Sequence, residues 1–145
     1  MFRSWRLAGL ALAVGVVLAV VQFATGGYVL GVIELAVFTV LALAWSPLAF
    51  PRSLTAAQAQ ERSSQDGRPV IYWRPGCTYC QRLRMRLGRD GRRAHWVNIW
   101  ADPAGAAAVR AITGGNETVP TVELAGQPHV NPDPAWLRDR LRLIT

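Results

Sequence analysis

The sequence predicts an α/β domain placed behind a transmembrane helical hairpin. The domain carries the order β-α-β-α-β-β-α, with four strands in one mixed sheet and three helices covering it. Three observations support this. Hydrophobic residues make up 51% of the 145-residue chain but concentrate at its start, where Leu7 to Trp45 holds a single charged side chain, Glu34. From Gly67 onward, short β-branched and aromatic runs alternate with stretches of helical periodicity. That second part, roughly eighty residues, buries only a modest core, which suits about four strands and three helices.

Leu7 to Ala24 is uncharged and long enough to span most of a bilayer, and Tyr28 to Trp45 is a second such stretch, interrupted by Glu34. Thr25-Gly26-Gly27 joins them tightly, so the pair reads as a hairpin over residues 1–50. Trp5, Tyr28 and Trp45 sit at the ends, where aromatic rings favour the headgroup region. A cleaved signal peptide is the rival reading of the first stretch. Against it, a second apolar span follows at once and no small-residue cleavage site precedes a polar domain. Arg3 and Arg6 precede the first span, Arg52 and Arg62 follow the second, and the turn has no positive residue. Positive residues stay on the cytoplasmic side, so the expectation is a two-pass cell-membrane protein whose termini and domain face the cytoplasm. Glu34, seven positions past the turn, reads as a protonated or interfacial carboxyl contacting a neighbour. Gly9, Gly15 and Gly31 are candidates for close helix–helix contact.

Pro47 and Pro51 end the second span. Residues 51–68, small, polar and rich in alanine and glutamine, read as a linker, helical in part; a flexible one would reach on the order of 20–25 Å. Val70 to Trp73 is the first strand, and Cys77 to Leu87 a helix ended by Gly88. His95 to Trp100 reads as the next strand. Pro103 to Ile112 is a helix with Asp102 as its cap and Pro103 at its first position. Thr121 to Leu124 and Pro128 to Val130 flank Ala125-Gly126-Gln127 as a hairpin. Pro134 to Ile144 closes the chain as an amphipathic helix, with Trp136, Leu137, Leu141 and Ile144 on one side.

The chemistry lies in Cys77-Thr78-Tyr79-Cys80. Two thiols three positions apart, after a strand and opening a helix, are suited to thiol–disulfide exchange. Only a thiolate is nucleophilic, and unpaired N–H groups at a helix N-terminus favour negative charge on Cys77. Gly76 lets the backbone approach, Pro75 stiffens the turn, and Arg74 and Arg82 add positive potential. Cys80, one turn further in, reads as the buried resolving thiol. In a reducing compartment two cysteines argue for redox work or metal binding over a permanent crosslink. A zinc site wants four ligands, and His95 and His129, the other candidates, lack metal-like spacing and read as structural or surface residues. Thr118-Val119-Pro120 stands just before the third strand, where an X–Pro bond adopts the cis form at little cost.

Net charge is +7, and from Gly67 onward twelve arginines face six acids. That surplus suits anionic thiols or anionic lipid, or is simply a solvated basic surface. No nucleic-acid motif is present, so no nucleic-acid partner is expected.

Trp73 to Cys80, Asn98-Ile99 and Gly114-Gly115-Asn116-Glu117-Thr118-Val119-Pro120-Thr121-Val122 together resemble the glutaredoxins, and more specifically the mycoredoxins of actinobacteria. In the latter a Gly-Asn-x-Thr-Val-Pro-Thr-Val segment and a later Asn-Pro recur, here Asn131-Pro132. The resemblance covers about Pro69 to Thr145 and implies a glutaredoxin-like, thioredoxin-fold domain over residues 69–145. It also implies reduction of disulfide-containing proteins, or of their mixed disulfides, with a low-molecular-weight thiol as co-substrate, mycothiol ahead of glutathione. No bound cofactor and no metal are implied. Cys77 would attack, Cys80 resolve, Val119 align the thiol through backbone groups next to Pro120, a further thiol-binding candidate, and Tyr79 wall the site. Arg74 would supply charge, with Thr118 and Asn131 as further positioning residues. Two departures stand out. Thr78 follows Cys77 where many glutaredoxins have proline or glycine, and Asn131-Pro132-Asp133-Pro134 replaces the usual Gly-x-Asp-Asp, which favours a thiol other than glutathione. Two other functions compete: an iron–sulfur cluster held by Cys77 of two chains with two small thiols, and a redox sensor domain within a membrane complex.

Overall fold

The computed structural model describes residues 5–46, 48 and 50–144. Arg3, part of the orientation argument, Pro47 at the end of the second span, and Thr145 lie outside the described residues. The chain forms two compact units, residues 1–49 and 50–145.

The first unit is a helical hairpin of α1 (Arg6–Ala24) and α2 (Tyr28–Trp45), each long and apolar enough, by length and composition, to cross a membrane. Ala8, Ala11, Gly15 and Ala19 form the buried stripe of α1. Small residues there let the helices approach closely. A methyl group on Gly15 would stand 2.3 Å from Phe38 Cβ, and one on Gly31 would stand 2.6 Å from the Phe23 ring. Each helix thus offers a glycine to an aromatic ring of the other. Gly9, by contrast, has nothing near it. Glu34 is half-buried, and its Oε2 has no hydrogen-bond partner among the described residues.

The second unit starts at Phe50, earlier than the expected residue 69. The stretch read as a linker contains α3 (Ala56–Asp66), packed against β1 (Val70–Trp73), β2 (His95–Asn98) and α5 (Pro103–Ile112). Thr55 caps α3 in a reciprocal capping box with Gln58. Three further ties hold it down. The Ala56 N–H donates to the Asp102 carboxylate, which also caps α5 through the Ala104 N–H. Gln60 donates to the Tyr72 hydroxyl at 3.0 Å and to Glu123, and that hydroxyl donates to Glu123 at 2.9 Å. Burial of Tyr72 pushes its phenol well above the usual range, so it stays a donor. Asp66 bonds the His95 ring at 2.9 Å. Its burial would raise the Asp66 carboxyl, but the Arg68 N–H and His95 outweigh that and hold it below its ordinary value.

The sheet order is β2-β1-β3-β4, where β3 is Thr121–Leu124 and β4 is Gln127–Val130. Strand β1 runs parallel to β2 and antiparallel to β3, and β3 is antiparallel to β4. The expected order of elements is therefore present, with α3 added before it and a short 3₁₀ turn, Asp90–Arg93, between α4 (Thr78–Leu87) and β2. The β2 strand is shorter than expected, since Ile99 and Trp100 belong to a turn. All four residues of central β1 are buried, as a strand covered on both faces requires. The outer edge of β2 receives a bridge from Leu54, whose N–H donates to Trp96 O at 2.8 Å. The other edge, β4, is largely exposed and carries Pro128, a residue confined to edge strands because it lacks a donor. Helix α4 packs with α6 (Pro134–Leu143), whose first turn is capped by Asp133.

Phe50 locks this unit at its start. Its ring stacks on Trp73 at 3.7 Å and meets Trp96 edge-on at 5.6 Å, with 7% of its surface exposed. Both indoles are satisfied, Trp73 by Ser53 at 3.2 Å and Trp96 by Gly91 O at 2.7 Å. Replacing Phe50 by alanine removes that stack and leaves a cavity, at an expected cost of about 3–5 kcal/mol. Asp102→Ala frees two helix N-termini at once and is expected to cost about 1–3 kcal/mol. Denaturant titration of the full chain, followed by tryptophan fluorescence, measures both; losses under about 0.5 kcal/mol would remove residues 50–66 from the folded unit.

Candidate active site

Strand β1 delivers the chain to Arg74, and Pro75-Gly76 turn it into α4. Gly76 has φ +75°, a conformation that costs a β-carbon-bearing residue and leaves glycine free. Cys77 follows as the N-cap of α4, and its Sγ accepts the Cys80 N–H at 3.2 Å. A cap is normally an oxygen of serine, threonine or aspartate; here a sulfur takes that place.

Cys77 is half-buried and Cys80 fully buried, and neither is in a disulfide. The Cys80 thiol donates to Cys77 Sγ, the main reason the Cys77 pKa is lowered to about 6 from an ordinary 9.0. Burial opposes this, while the Cys80 N–H, the Arg74 charge and the Tyr79 N–H reinforce it. Burial, and the same bond seen from the donor's side, push Cys80 far above the usual thiol range. One pair of adjacent thiols is thereby split into an anion-former and a proton-keeper.

The opposite wall comes from the turn before β3. The Val119–Pro120 bond is cis, and the Cys77 thiol, when protonated, donates to Val119 O at 3.4 Å. Pro120 O accepts the Asn131 N–H at 2.7 Å, which draws the end of β4 to the same place. Asn131 itself has φ +49°. Together with Pro132, Asp133 and Pro134 it faces Tyr79, Arg82 and Leu83 across a cleft of about 160 Å³. Tyr79 is 55% exposed, enough to meet an incoming molecule, and Arg82 lies over its ring at 5.8 Å.

The structure thus brings together six of the eight residues singled out in the sequence: Arg74, Cys77, Tyr79, Cys80, Val119 and Pro120. Asn131 joins them through its backbone and the cleft. Thr118 is exposed beside Val119, and its carbonyl accepts the Thr121 hydroxyl at 2.8 Å. Arg74 also places its guanidinium over Trp100, 5.8 Å from the ring centre. Leu83 and Asp133 enter the cleft without having been foreseen as site residues. Both are short-range neighbours of foreseen ones, but only the packing of α4 on α6 reveals them. His95 is engaged by Asp66, and His129 lies 4.5 Å from the Trp136 ring. Among the described residues no group of three or more histidine, cysteine or acidic side chains could hold a metal ion.

Comparison with known proteins agrees with this geometry. The family model for glutaredoxin matches residues 70–130, from the first residue of β1 to the last of β4. Two proteins of Mycobacterium tuberculosis that carry the provisional name glutaredoxin, one from strain CDC 1551 / Oshkosh and one from strain ATCC 25618 / H37Rv, are similar to the chain. Each is 36% identical over 73 residues, which is 50% of this chain and 87% of the relative. With a capped cysteine pair, a four-stranded sheet and matches of that extent, the chain belongs to the glutaredoxin family.

Proposed function

We propose that this glutaredoxin is a membrane-anchored thiol–disulfide oxidoreductase that uses a low-molecular-weight thiol, mycothiol ahead of glutathione, to reduce mixed or protein disulfides. The observation that carries the reading is the Cys77 sulfur acting as the cap of α4, with Cys80 buried one turn behind it. At neutral pH a thiol with a pKa near 6 is about ten parts thiolate to one of thiol.

The sequence of steps follows. The Cys77 thiolate attacks a substrate disulfide sulfur; one S–S bond forms as another breaks, and the departing sulfur takes the electron pair. Val119 lends backbone groups to the substrate's main chain, in the manner of a short added strand. Cys80 then gives up its proton and attacks Cys77 Sγ, releasing the bound group and leaving the Cys77–Cys80 disulfide. Two molecules of the small thiol restore both cysteines and leave as its disulfide. Tyr79 walls the small-thiol cleft and Asn131 lines it, while Thr118 stands exposed beside Val119 as a further positioning residue.

Mycothiol is favoured because Asn131-Pro132-Asp133-Pro134 stands where a glutathione site would carry Gly-x-Asp-Asp. Anchoring is favoured by outward apolar side chains along the hairpin, such as Leu10, Val17 and Val29, all more than half exposed. The arginines around the hairpin favour a cytoplasmic placement of the redox domain. Four residues separate α2 from Phe50, a shorter connection than the expected linker.

Three outcomes are expected with the full chain in neutral detergent. The rate of Cys77 alkylation rises with pH about a midpoint near 6, since the thiolate forms as pH climbs through that value and is lost below it. Cys80→Ala, which removes the strongest lowering influence, shifts that midpoint upward, whereas Cys80→Ser keeps a donor and holds it closer. Turnover of a mixed disulfide is abolished by Cys77→Ser, and mycothiol supports it better than glutathione. Cys77→Ser with turnover intact would remove the assignment.

A further inference from the structure

A second hollow of about 250 Å³ continues from the Tyr79 cleft along the seam of α4 and α6. The two share Arg82, Asp133 and Pro134, so they form one trough leading away from the cysteine pair. Its far part is lined by Arg82, Arg86, Arg138, Asp133, Pro134 and Ala135. Three guanidinium groups against one carboxylate leave the trough strongly positive. The carboxylate is already committed, because Asp133 accepts the Ala135 and Trp136 N–H groups at 2.9 Å.

Other arginines of this region are spoken for. Arg84 donates to Gly88 O at 2.7 Å, Arg93 to Leu141 O at 3.3 Å, and Arg142 pairs with Asp90 at 3.1 Å. Arg86 and Arg138 are different: among the described residues nothing bonds either one, and while the Nε atoms of Arg84 and Arg138 are both buried without a partner, Arg84 still has Gly88 O as an acceptor and Arg138 has none. A buried, unpartnered guanidinium nitrogen is unfavourable unless something supplies an acceptor.

The geometry points to this trough as the docking site for an acidic segment of the substrate protein, next to the disulfide that Cys77 attacks. The inference rests on the oxidoreductase reading and adds a substrate class to it. From Tyr79 to Arg86 the helix rises about 10 Å, the length of about three residues of extended chain. Substrates whose cysteine is followed or preceded, two to five positions away, by aspartate or glutamate fit both parts at once. An acidic peptide is favoured over a lipid surface because the trough is a hollow continuous with the Tyr79 cleft rather than a flat face.

The test uses the reduced full chain in neutral micelles and two peptides, each holding one cysteine as a mixed disulfide with 2-nitro-5-thiobenzoate. One carries Asp-Glu-Asp near the cysteine, the other Asn-Gln-Asn. Cys77 attacks the peptide sulfur, the coloured thiolate leaves with the electron pair, and Cys80 then frees the peptide thiol, oxidising the pair. At low salt the acidic peptide is expected to react about fivefold faster, an advantage lost at about 0.5 M salt. Arg86→Gln with Arg138→Gln should bring the acidic peptide to the neutral rate and leave the neutral peptide unchanged. The double lysine variant should keep most of the preference. Equal rates for the two peptides in the unaltered chain, or a preference that survives the double glutamine variant, would overturn the inference. So would equal peptide rates that phosphatidylglycerol in the micelles slows only when Arg86 and Arg138 are present, which would give the trough to lipid. Failure of both peptides to release colour strikes the oxidoreductase reading itself, and is told apart by the absence of any reaction.

Discussion

A negative charge on a half-buried sulfur has to be stabilised before anything else at this site works. Burial alone would favour the neutral thiol. What reverses that here is a set of donors fixed before the charge forms: the Cys80 thiol, the Cys80 and Tyr79 amides, and the Arg74 charge nearby. These donors exist because α4 begins at this point, and α4 begins here because Pro75-Gly76 ends β1 and turns the chain. The Cys80–Cys77 hydrogen bond has opposite effects on its two ends. It favours the anion on Cys77 and retains the proton on Cys80. The order of attack we propose follows from that split, with Cys77 starting the exchange and Cys80 held back until a disulfide has formed.

Such positioning needs a rigid support, since the donors must stay aimed at the sulfur. Strand β1 provides it, buried along its whole length between parallel β2 and antiparallel β3. Residues 50–66 strengthen that support from outside the part that matches the family. Phe50 closes over Trp73, the last residue of β1, just ahead of the turn into α4. Gln60 reaches both Tyr72 of β1 and Glu123 of β3, linking two strands through one side chain. Asp102 binds the starts of α3 and α5 together. The charge on Cys77 thus depends on packing that starts more than twenty residues earlier in the chain.

Much of this was legible in the sequence because the signals are local. Val70 to Trp73, Asp102-Pro103, Asp133-Pro134 and the cysteine pair each announce an element within a few residues, and the structure places those elements where they were expected. Helix α3 was less legible because it is polar. Only Ala56 and Ala59 of its residues are buried, so it shows no apolar stripe, and its anchoring comes from hydrogen bonds to distant side chains. Thr55-Ala56-Ala57-Gln58 is nonetheless a capping-box pattern, and Gly67 a stop signal, so both ends of the helix carry a local cue. The bridge from Leu54 to β2 and the stacking of Phe50 depend on long-range contacts that no spacing reveals. The same holds for the α4–α6 trough, whose residues lie some fifty positions apart in the chain. In the hairpin, the glycines were recognisable as contact candidates, but which of them met an aromatic ring depended on the turn geometry.

The arginines of α4 and α6 have to be explained residue by residue, since a basic surface by itself says little. Charge near a helix C-terminus is favourable to the helix dipole, which accounts for Arg84 and Arg86 in the last turn of α4. It also accounts for Arg140 and Arg142 in the last turn of α6. Arg74 contributes to the Cys77 charge, and Arg82 lies over Tyr79. Arg138 fits none of these accounts. It is the fifth of the ten residues of α6, outside the last turn that the dipole argument covers, and its buried Nε has no acceptor. A guanidinium nitrogen buried without an acceptor weakens the folded chain. An external acceptor removes that penalty, and the hollow that Arg138 shares with Arg86 has Arg82, Asp133 and Pro134 in common with the cleft walled by Tyr79, two positions past Cys77.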